Sequence, residues 1–230
     1  MRTYLSFLFL LCGLQITIAQ PLQHVVPEQA HPTPRIYTEH YYKRFIQFMD
    51  EAPISNKDIV MLGNSLTENG GNWAARLGNK HVRNRGDEVM GVYDRLHQIL
   101  PGHPAKLFLL IGVNDISHGL TSDSIVSMIR TTVERIRKES PNTRLYLQSL
   151  LPINESFGRY KRLTGKTSMI PEINKQLEAL AKEKGLTYIN LFPLFTEKES
   201  NVLRADLTTD GLHLKEEGYK IWVKAIKKKI

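Results

Sequence analysis

The feature that most constrains the fold is a series of short apolar runs separated by stretches of helical periodicity. The strongest runs are Asp58–Leu62, which ends at Gly63, Lys106–Ile111, which ends at Gly112, and Thr143–Leu147. Weaker strand signals surround Val82 and cover Leu186–Ile189. Apolar runs of this length, bounded by turn residues, are typical of strands buried in a parallel sheet.

Amphipathic stripes fill the gaps between the runs. The apolar positions are Val89, Tyr93, Leu96 and Leu100; Ile125, Ile129, Val133 and Ile136, with Ser122 or Asp123 as N-cap; Ile173, Leu177, Leu180 and Ala181, between Pro171 and a C-cap at Gly185; and Tyr219, Trp222 and Ile226 in a helix from Lys215. Each stripe predicts a helix with one apolar face. Alternating strands and helices predict a parallel sheet covered on both faces, with ligands bound beyond the carboxyl ends of the strands.

The composition is that of a folded globular protein. Hydrophobic residues make up 41% of the chain and charged residues 23%, which excludes a wholly disordered, collagen-like or multi-span membrane protein. The formal net charge of +8 raises the question of nucleic-acid or anionic-lipid binding. However, Lys224 and Lys227–Lys229 crowd the end of the last predicted helix, where cations complement the helix dipole. We interpret this basic run as a solvated helix end and expect no nucleic-acid partner.

The first 19 residues differ from the rest of the chain. Arg2 precedes an almost unbroken apolar run, Tyr4–Leu14, and the small-x-small pattern Thr17–Ala19 follows it. This pattern predicts a secretory signal peptide. The run is shorter than the ~20 residues that a spanning helix needs, so we expect a periplasmic or secreted protein without stable membrane insertion.

The predicted domain organisation is a signal peptide at 1–19, an extended leader at 20–34 that is rich in proline, and one domain at 35–230. The chain has one cysteine, Cys12, which cleavage would remove. We therefore expect neither disulfides nor a cysteine-ligated metal in the mature protein.

A candidate nucleophile follows the first predicted strand. The segment Gly63–Thr67 places Ser65 at the carboxyl edge of the sheet, directly after a glycine that permits a sharp turn. A serine hydroxyl becomes nucleophilic only when a base removes its proton. Taken alone, the segment favours the alternative, in which Ser65 acts as a helix cap.

A candidate base precedes the last helix. In Asp210-Gly211-Leu212-His213, the spacing allows the carboxylate to bind one ring nitrogen and leaves the other nitrogen free to deprotonate a serine. The alternative is that Asp210 is a turn residue and His213 an exposed polar group.

The third element, Gly112-Val113-Asn114-Asp115, follows the third strand. The Asn114 amide could donate to an oxyanion, or the residue could simply close an Asx turn.

In this order, Gly-x-Ser, Gly-x-Asn-Asp and Asp-x-x-His resemble the signature blocks of the SGNH, or GDSL-type, hydrolase superfamily. The similarity extends from about Asp58 to Trp222. The segment Leu109–Asp115 and the Asp210–His213 block, followed by Lys215–Tyr219, resemble the branch related to platelet-activating-factor acetylhydrolase α subunits.

The resemblance implies a flavodoxin-like three-layer α/β/α fold with a five-stranded parallel sheet, and ester hydrolysis that uses neither a metal nor another cofactor. Carried onto this chain, it makes Ser65 the nucleophile, His213 the general base and acid, and Asp210 the residue that orients His213. The implied oxyanion hole combines the Ser65 N–H, the Asn114 amide and a glycine N–H from the loop after the second strand.

Two positions depart from the family pattern. Asn64 stands where the name-giving motif has Asp, and it keeps the hydrogen-bonding shape without the charge. The loop after Asn84-Arg85-Gly86 is about three residues shorter than in relatives when counted back from Gly91. Gly86 therefore aligns either with the first glycine of that motif or with the oxyanion glycine, and its alternative role is a plain turn glycine.

Three functions fit these observations. The first is an exported serine esterase that removes short acyl groups, acetyl in particular, from a carbohydrate or small lipid-like alcohol. The second is a phospholipid or lysophospholipid hydrolase, and the third is a catalytically impaired domain that binds acylated glycans. The short Gly86 loop motivates the third.

Trp73 is expected as a core anchor or pocket wall, His118 as a possible pocket residue, and the basic segment Phe157–Lys166 as a solvated loop or an anion contact.

Overall fold

A computed structural model describes residues 38–87 and 89–230, and for residues 89–91 it describes the backbone only. The signal peptide predicted at 1–19 and the leader predicted at 20–34 lie outside these ranges and stay predictions.

Five parallel strands form the central sheet, as the sequence predicts. They are β1 Ile59–Gly63, β2 Val82–Gly86, β3 Lys106–Leu110, β4 Arg144–Gln148 and β5 Thr187–Ile189. The strand order is β2-β1-β3-β4-β5, and every neighbouring pair is parallel. All of β1 and most of β3 are buried, which explains their continuous apolar sequences. The chain leaves β1 in one direction and β3 in the other, so the β1/β3 boundary is the switch point where ligands bind in such sheets.

Eight α-helices lie within the described ranges 38–87 and 89–230. They are α1 Glu39–Asp50, α2 Ser65–Glu68, α3 Trp73–Leu77, α4 Val89–Arg95, α5 Val113–Ser117, α6 Ser122–Glu139, α7 Met169–Glu183 and α8 Glu216–Ile226. Right-handed crossovers that run in opposite directions place their helices on opposite faces of the sheet. Trp73 of α3 packs edge-on against Trp222 of α8, with ring centroids 5.2 Å apart, and α6 packs against α7. The result is the predicted three-layer arrangement.

Two helix predictions needed correction, and one long helix was missed. The helix predicted over residues 89–100 ends at Arg95 and continues as two 3-10 turns. Pro101, which has no N–H to donate, lies inside the second of these turns. The N-cap of α6 is Thr121, whose Oγ1 accepts from the Ser124 amide, rather than either predicted cap. Helix α1 was not predicted at all. The left-handed Gly185 after α7, with φ of +63°, is confirmed.

Candidate active site

Ser65 occupies the first position of α2, immediately beyond the carboxyl end of β1. A Cβ atom at Gly63 would lie 2.5 Å from the Leu110 carbonyl oxygen, so only glycine lets β1 approach β3 here. The N-cap is Asn64, whose Oδ1 accepts from the Leu66 amide at 3.0 Å. Asn64 thus performs the capping that the alternative interpretation assigned to Ser65, and it needs no charge to do so.

Asp210 and His213 lie on a tight loop before α8. Asp210 Oδ1 accepts from the Leu212 and His213 amides at 2.9 and 2.7 Å, and Oδ2 lies 2.8 Å from His213 Nδ1. Gly211 turns the chain with φ of +87°, a conformation that L side chains rarely adopt. Asp210 is therefore both a turn residue, as the alternative interpretation held, and the partner of the imidazole.

The structure brings Ser65 and His213 together although 148 residues separate them. Ser65 Oγ lies 3.0 Å from His213 Nε2. The His213 and Asp210 side chains are 24% and 21% exposed, so the group is open to a substrate. This is the geometry in which a carboxylate fixes the imidazole tautomer and the imidazole accepts the serine proton.

The charge of Asp210 is stable over a wide pH range. Burial acts to raise the pKa of its carboxyl, but hydrogen bonds from the His213 ring, two backbone amides and Tyr160 outweigh burial and lower that pKa to about 2. Asp210 therefore stays ionised above about pH 2 and remains an acceptor for His213 Nδ1–H.

Tyr160 contacts the same pair, and no sequence pattern indicates this contact. Its hydroxyl donates to Asp210 Oδ2 at 2.9 Å and lies 3.0 Å from His213 Nδ1. Its ring packs edge-on against the imidazole, with centroids 5.8 Å apart. Burial and the bond to Asp210 raise the pKa of the Tyr160 hydroxyl, so it remains a proton donor at neutral pH.

Asn114 lies in α5, which follows β3 at the same edge of the sheet as Ser65. Its side chain is partly exposed and makes no hydrogen bond within residues 38–87 and 89–230, so the alternative Asx turn is not formed there. The neighbouring Asp115 is buried, and burial raises the pKa of its carboxyl to about 7. Asn114 thus offers an open amide beside the site.

Gly86 is the last residue of β2 and pairs with Gly63. Its N–H donates to Asn84 Oδ1 at 2.9 Å, and the Asn84 Nδ2 group donates to the Glu68 and Gly71 carbonyls at 3.0 and 2.9 Å. A bond within the chain therefore already uses the Gly86 donor. This geometry gives no support to the predicted oxyanion role. The alternative, a plain turn glycine, does not describe the position either, because Gly86 ends a strand. A Cβ there would lie 2.1 Å from the Glu68 amide nitrogen, so close packing requires the glycine.

The short loop after Gly86 is closed by a buried ion pair. Asp87 and Arg95 are both fully buried, with 2.6 Å between nitrogen and oxygen, and Arg95 also donates to the Tyr41 carbonyl. The Asp87 amide donates to the Gly63 carbonyl at 2.9 Å. The polar groups at the end of β2 and directly after it are thus paired with other groups of the protein.

The remaining sequence candidates lie elsewhere. Trp73 is a core anchor, buried and donating to the Thr67 carbonyl at 2.8 Å. His118 is exposed at the end of α5. Within residues 38–87 and 89–230, no group of three or more His, Cys, Asp and Glu side chains is arranged to hold a metal ion. In the same part of the chain, no helix is long and apolar enough to span a membrane.

A parallel sheet in the order β2-β1-β3-β4-β5, with serine, histidine and aspartate in contact at its carboxyl edge, defines a hydrolase of the SGNH class. The model of the GDSL-like lipase/acylhydrolase family matches residues 61–221, which is more than half of the chain. The chain therefore belongs to that family, and the family predicted from the three motifs is confirmed.

Solved structures share the fold over most of their length. A GDSL-like lipase from Bacteroides thetaiotaomicron is 22% identical with a TM-score of 0.72, covering 82% of this chain and 96% of the lipase. A lipase/acylhydrolase from Enterococcus faecalis is 20% identical with a TM-score of 0.60, covering 76% and 95% of the two chains. An acetyl xylan esterase is 18% identical with a TM-score of 0.60, covering 75% and 99%. Comparison with curated protein sequences finds no match.

Proposed function

We propose that the protein is an exported serine esterase that removes short acyl groups, acetyl in particular, from carbohydrates or other small alcohols. The observation that carries the proposal is the unbroken chain of contacts from Ser65 Oγ through His213 to Asp210, at 3.0 and 2.8 Å. Membership of an acylhydrolase family supports the reaction class.

In the proposed reaction, Ser65 Oγ attacks the carbonyl carbon of the ester while His213 Nε2 accepts the hydroxyl proton. The Ser65 N–H and the Asn114 amide donate to the oxyanion of the tetrahedral intermediate. When that intermediate collapses, the bond to the alcohol breaks and His213 returns the proton to the leaving oxygen. A water molecule, deprotonated by His213, then attacks the acyl carbon. The bond from that carbon to Ser65 Oγ breaks, His213 returns the proton to Oγ, and the acid is released.

Two finer parts of the proposal have their own support. The acetyl preference draws on the branch resemblance and on the fold shared with an acetyl xylan esterase. Export draws on the pattern of residues 1–19. Determination of the N-terminus of the protein produced by a secreting host tests export, and we expect a mature chain that begins after Ala19.

Turnover of p-nitrophenyl acetate tests the reaction. We expect Ser65→Ala to abolish turnover and Ser127→Ala, which removes an exposed hydroxyl on α6, to leave it unchanged. Turnover that survives in Ser65→Ala would remove the proposed mechanism.

A second candidate, a domain that binds acylated glycans without turnover, is favoured by one observation. The Gly86 N–H is bonded to Asn84, which leaves two oxyanion donors in place of three. A folded protein that binds acetylated xylo-oligosaccharides in calorimetry, yet releases no acetate from them, would select this candidate.

A further inference from the structure

A loop of residues 155–167, named here the basic loop, forms a closed unit. The Glu155 carboxylate accepts from the Lys166 and Thr167 amides at 2.9 and 2.8 Å, and it also accepts from the Gly165 amide. These bonds join the two ends of the loop, and the buried Leu163 anchors its middle. The backbone of the basic loop is therefore held in one shape.

The basic loop is joined at two points to the catalytic loop, residues Asp210–His213. The backbone N–H of Asn154, the residue directly before the basic loop, donates to the Gly211 carbonyl at 2.8 Å. A Cβ at Gly211 would lie 2.2 Å from the backbone carbonyl oxygen of Asn154. Further along, Tyr160 donates to Asp210. Arg159, Tyr160 and Asp210 also border the same small cavity. The basic loop thus lies directly beside the loop that carries Asp210 and His213, and it forms a wall of this cavity.

The charges on this wall are unbalanced. The basic loop carries one carboxylate, Glu155, and four cations, which are Arg159, Lys161, Arg162 and Lys166. The first three cations are exposed, and none of them forms an ion pair within residues 38–87 and 89–230. A rigid wall with unpaired cations favours an anionic ligand.

We propose that the basic loop recognises a negatively charged group on the ester, so that the preferred substrate is an acyl ester of an anionic carbohydrate. This inference rests on the proposed esterase function and extends it to a substrate class. A carbohydrate is favoured over a lipid surface because Phe157 is the one large apolar side chain exposed within residues 155–167, whereas a segment that binds a lipid surface presents a whole apolar face beside its cations.

A matched pair of substrates tests the proposal. Acetylated methyl glucuronide and acetylated methyl glucoside differ only in the carboxylate at C6, and released acetate measures the turnover of each. We expect kcat/KM to be about tenfold higher for the glucuronide at low salt, the size that three exposed charges acting together supply. The preference should shrink between 0.05 and 0.5 M salt, because exposed charges are screened. Acetylated glucose 6-phosphate, in place of the glucuronide, shows whether a phosphate is recognised equally well.

Two triple variants assign the effect to the loop. Arg159→Gln, Lys161→Gln and Arg162→Gln together should lower the glucuronide-to-glucoside ratio of kcat/KM about tenfold. The control replaces Lys227, Lys228 and Lys229 with glutamine and removes the same charge. Those lysines follow α8, where the Lys229 carbonyl accepts from Lys106 at the amino end of β3, on the opposite edge of the sheet. We expect the control to leave the ratio unchanged.

The outcomes separate the two proposals. Equal kcat/KM for both sugars in the wild type, or equal ratios in the two triple variants, overturns the assignment to the basic loop and leaves the esterase proposal intact. No turnover of either sugar or of p-nitrophenyl acetate overturns both. Equal ratios together with sedimentation on phosphatidylglycerol vesicles, lost in the loop variant only, would replace the carbohydrate by an anionic lipid surface.

Discussion

The two sides of the site are built in opposite ways. On one side, hydrogen bonds from the backbone and from Tyr160 converge on Asp210 and His213, and they leave His213 Nε2 directed at Ser65. On the other side, at the end of β2, the Gly86 N–H donates to the Asn84 side chain and is not free for an oxyanion. The comparison indicates a chain that keeps the machinery for proton transfer while relying on fewer donors to stabilise an oxyanion.

If two donors stabilise the oxyanion, each must contribute strongly. We expect Asn114→Ala to lower kcat for p-nitrophenyl acetate by about 10²–10³ with little change in KM, because the amide acts on the charge that develops in the transition state. Steady-state kinetics measures this, with circular dichroism as the check on folding. A loss smaller than about tenfold would mean that another donor, including one on the β2 side, carries the oxyanion.

Tyr160 belongs to the side of the site that carries out proton transfer, and its removal tests that side. We expect Tyr160→Phe to lower kcat about tenfold, the effect of losing one bond to a charged group. Because the Tyr160 bond helps lower the pKa of Asp210, its loss makes that carboxylate a stronger acceptor for the imidazolium. The acid limb of kcat/KM against pH should therefore move to higher pH.

Tyr188→Phe is the matched control, since the Tyr188 hydroxyl donates to the Asn174 carbonyl away from the site. An acid limb that stays in place in Tyr160→Phe, or moves to lower pH, would contradict a positioning role for Tyr160.

The β2 side should respond in stability rather than in rate. Asn84→Ala removes three hydrogen bonds, so we expect the free energy of unfolding to fall by about 1–3 kcal/mol. The kcat of the folded fraction should stay within about threefold of the wild type. Urea denaturation and kinetics measure the two quantities. A loss of kcat as large as that of Asn114→Ala would show that this side does stabilise the reaction.

The effect of Asp115 appears in the pH dependence of stability. Burial raises the pKa of its carboxyl from the ordinary value of 3.8 to about 7, so ionisation is harder in the folded protein than in the unfolded chain. The resulting destabilisation is absent below about pH 4, grows as the pH rises, and is complete above about pH 7. Asp115→Asn should therefore gain in Tm relative to the wild type between pH 5 and pH 8. A constant difference would contradict the assignment.

Periodicity predicted the five strands and four of the helices because burial imposes it on the sequence. It missed α1 because a buried arginine interrupts the apolar stripe. Arg44 stacks on Phe48 with its guanidinium 4.4 Å from the ring centroid, and it donates to the Gly86 carbonyl. A charge that is buried only because a distant strand supplies an acceptor has no local signature.

The same reasoning separates the predicted site residues from those that were missed. Ser65, Asp210 and His213 follow from short motifs because their spacing reflects the chemistry. Tyr160 lies 50 residues before Asp210 in a segment whose charges favour a solvated loop, so only the tertiary structure reveals its contact. Whether the Gly86 N–H is available to an oxyanion depends on its hydrogen bond to the Asn84 side chain. No local sequence pattern specifies that bond.

Mapping the residue labelled by a fluorophosphonate tests the central claim most directly, because the probe reacts with a serine only where a base activates the hydroxyl. We predict that peptide mass spectrometry places the adduct on Ser65, and that His213→Gln reduces labelling strongly while Ser127→Ala does not. A folded protein that remains unlabelled, or that carries the adduct on a different serine, would contradict the account.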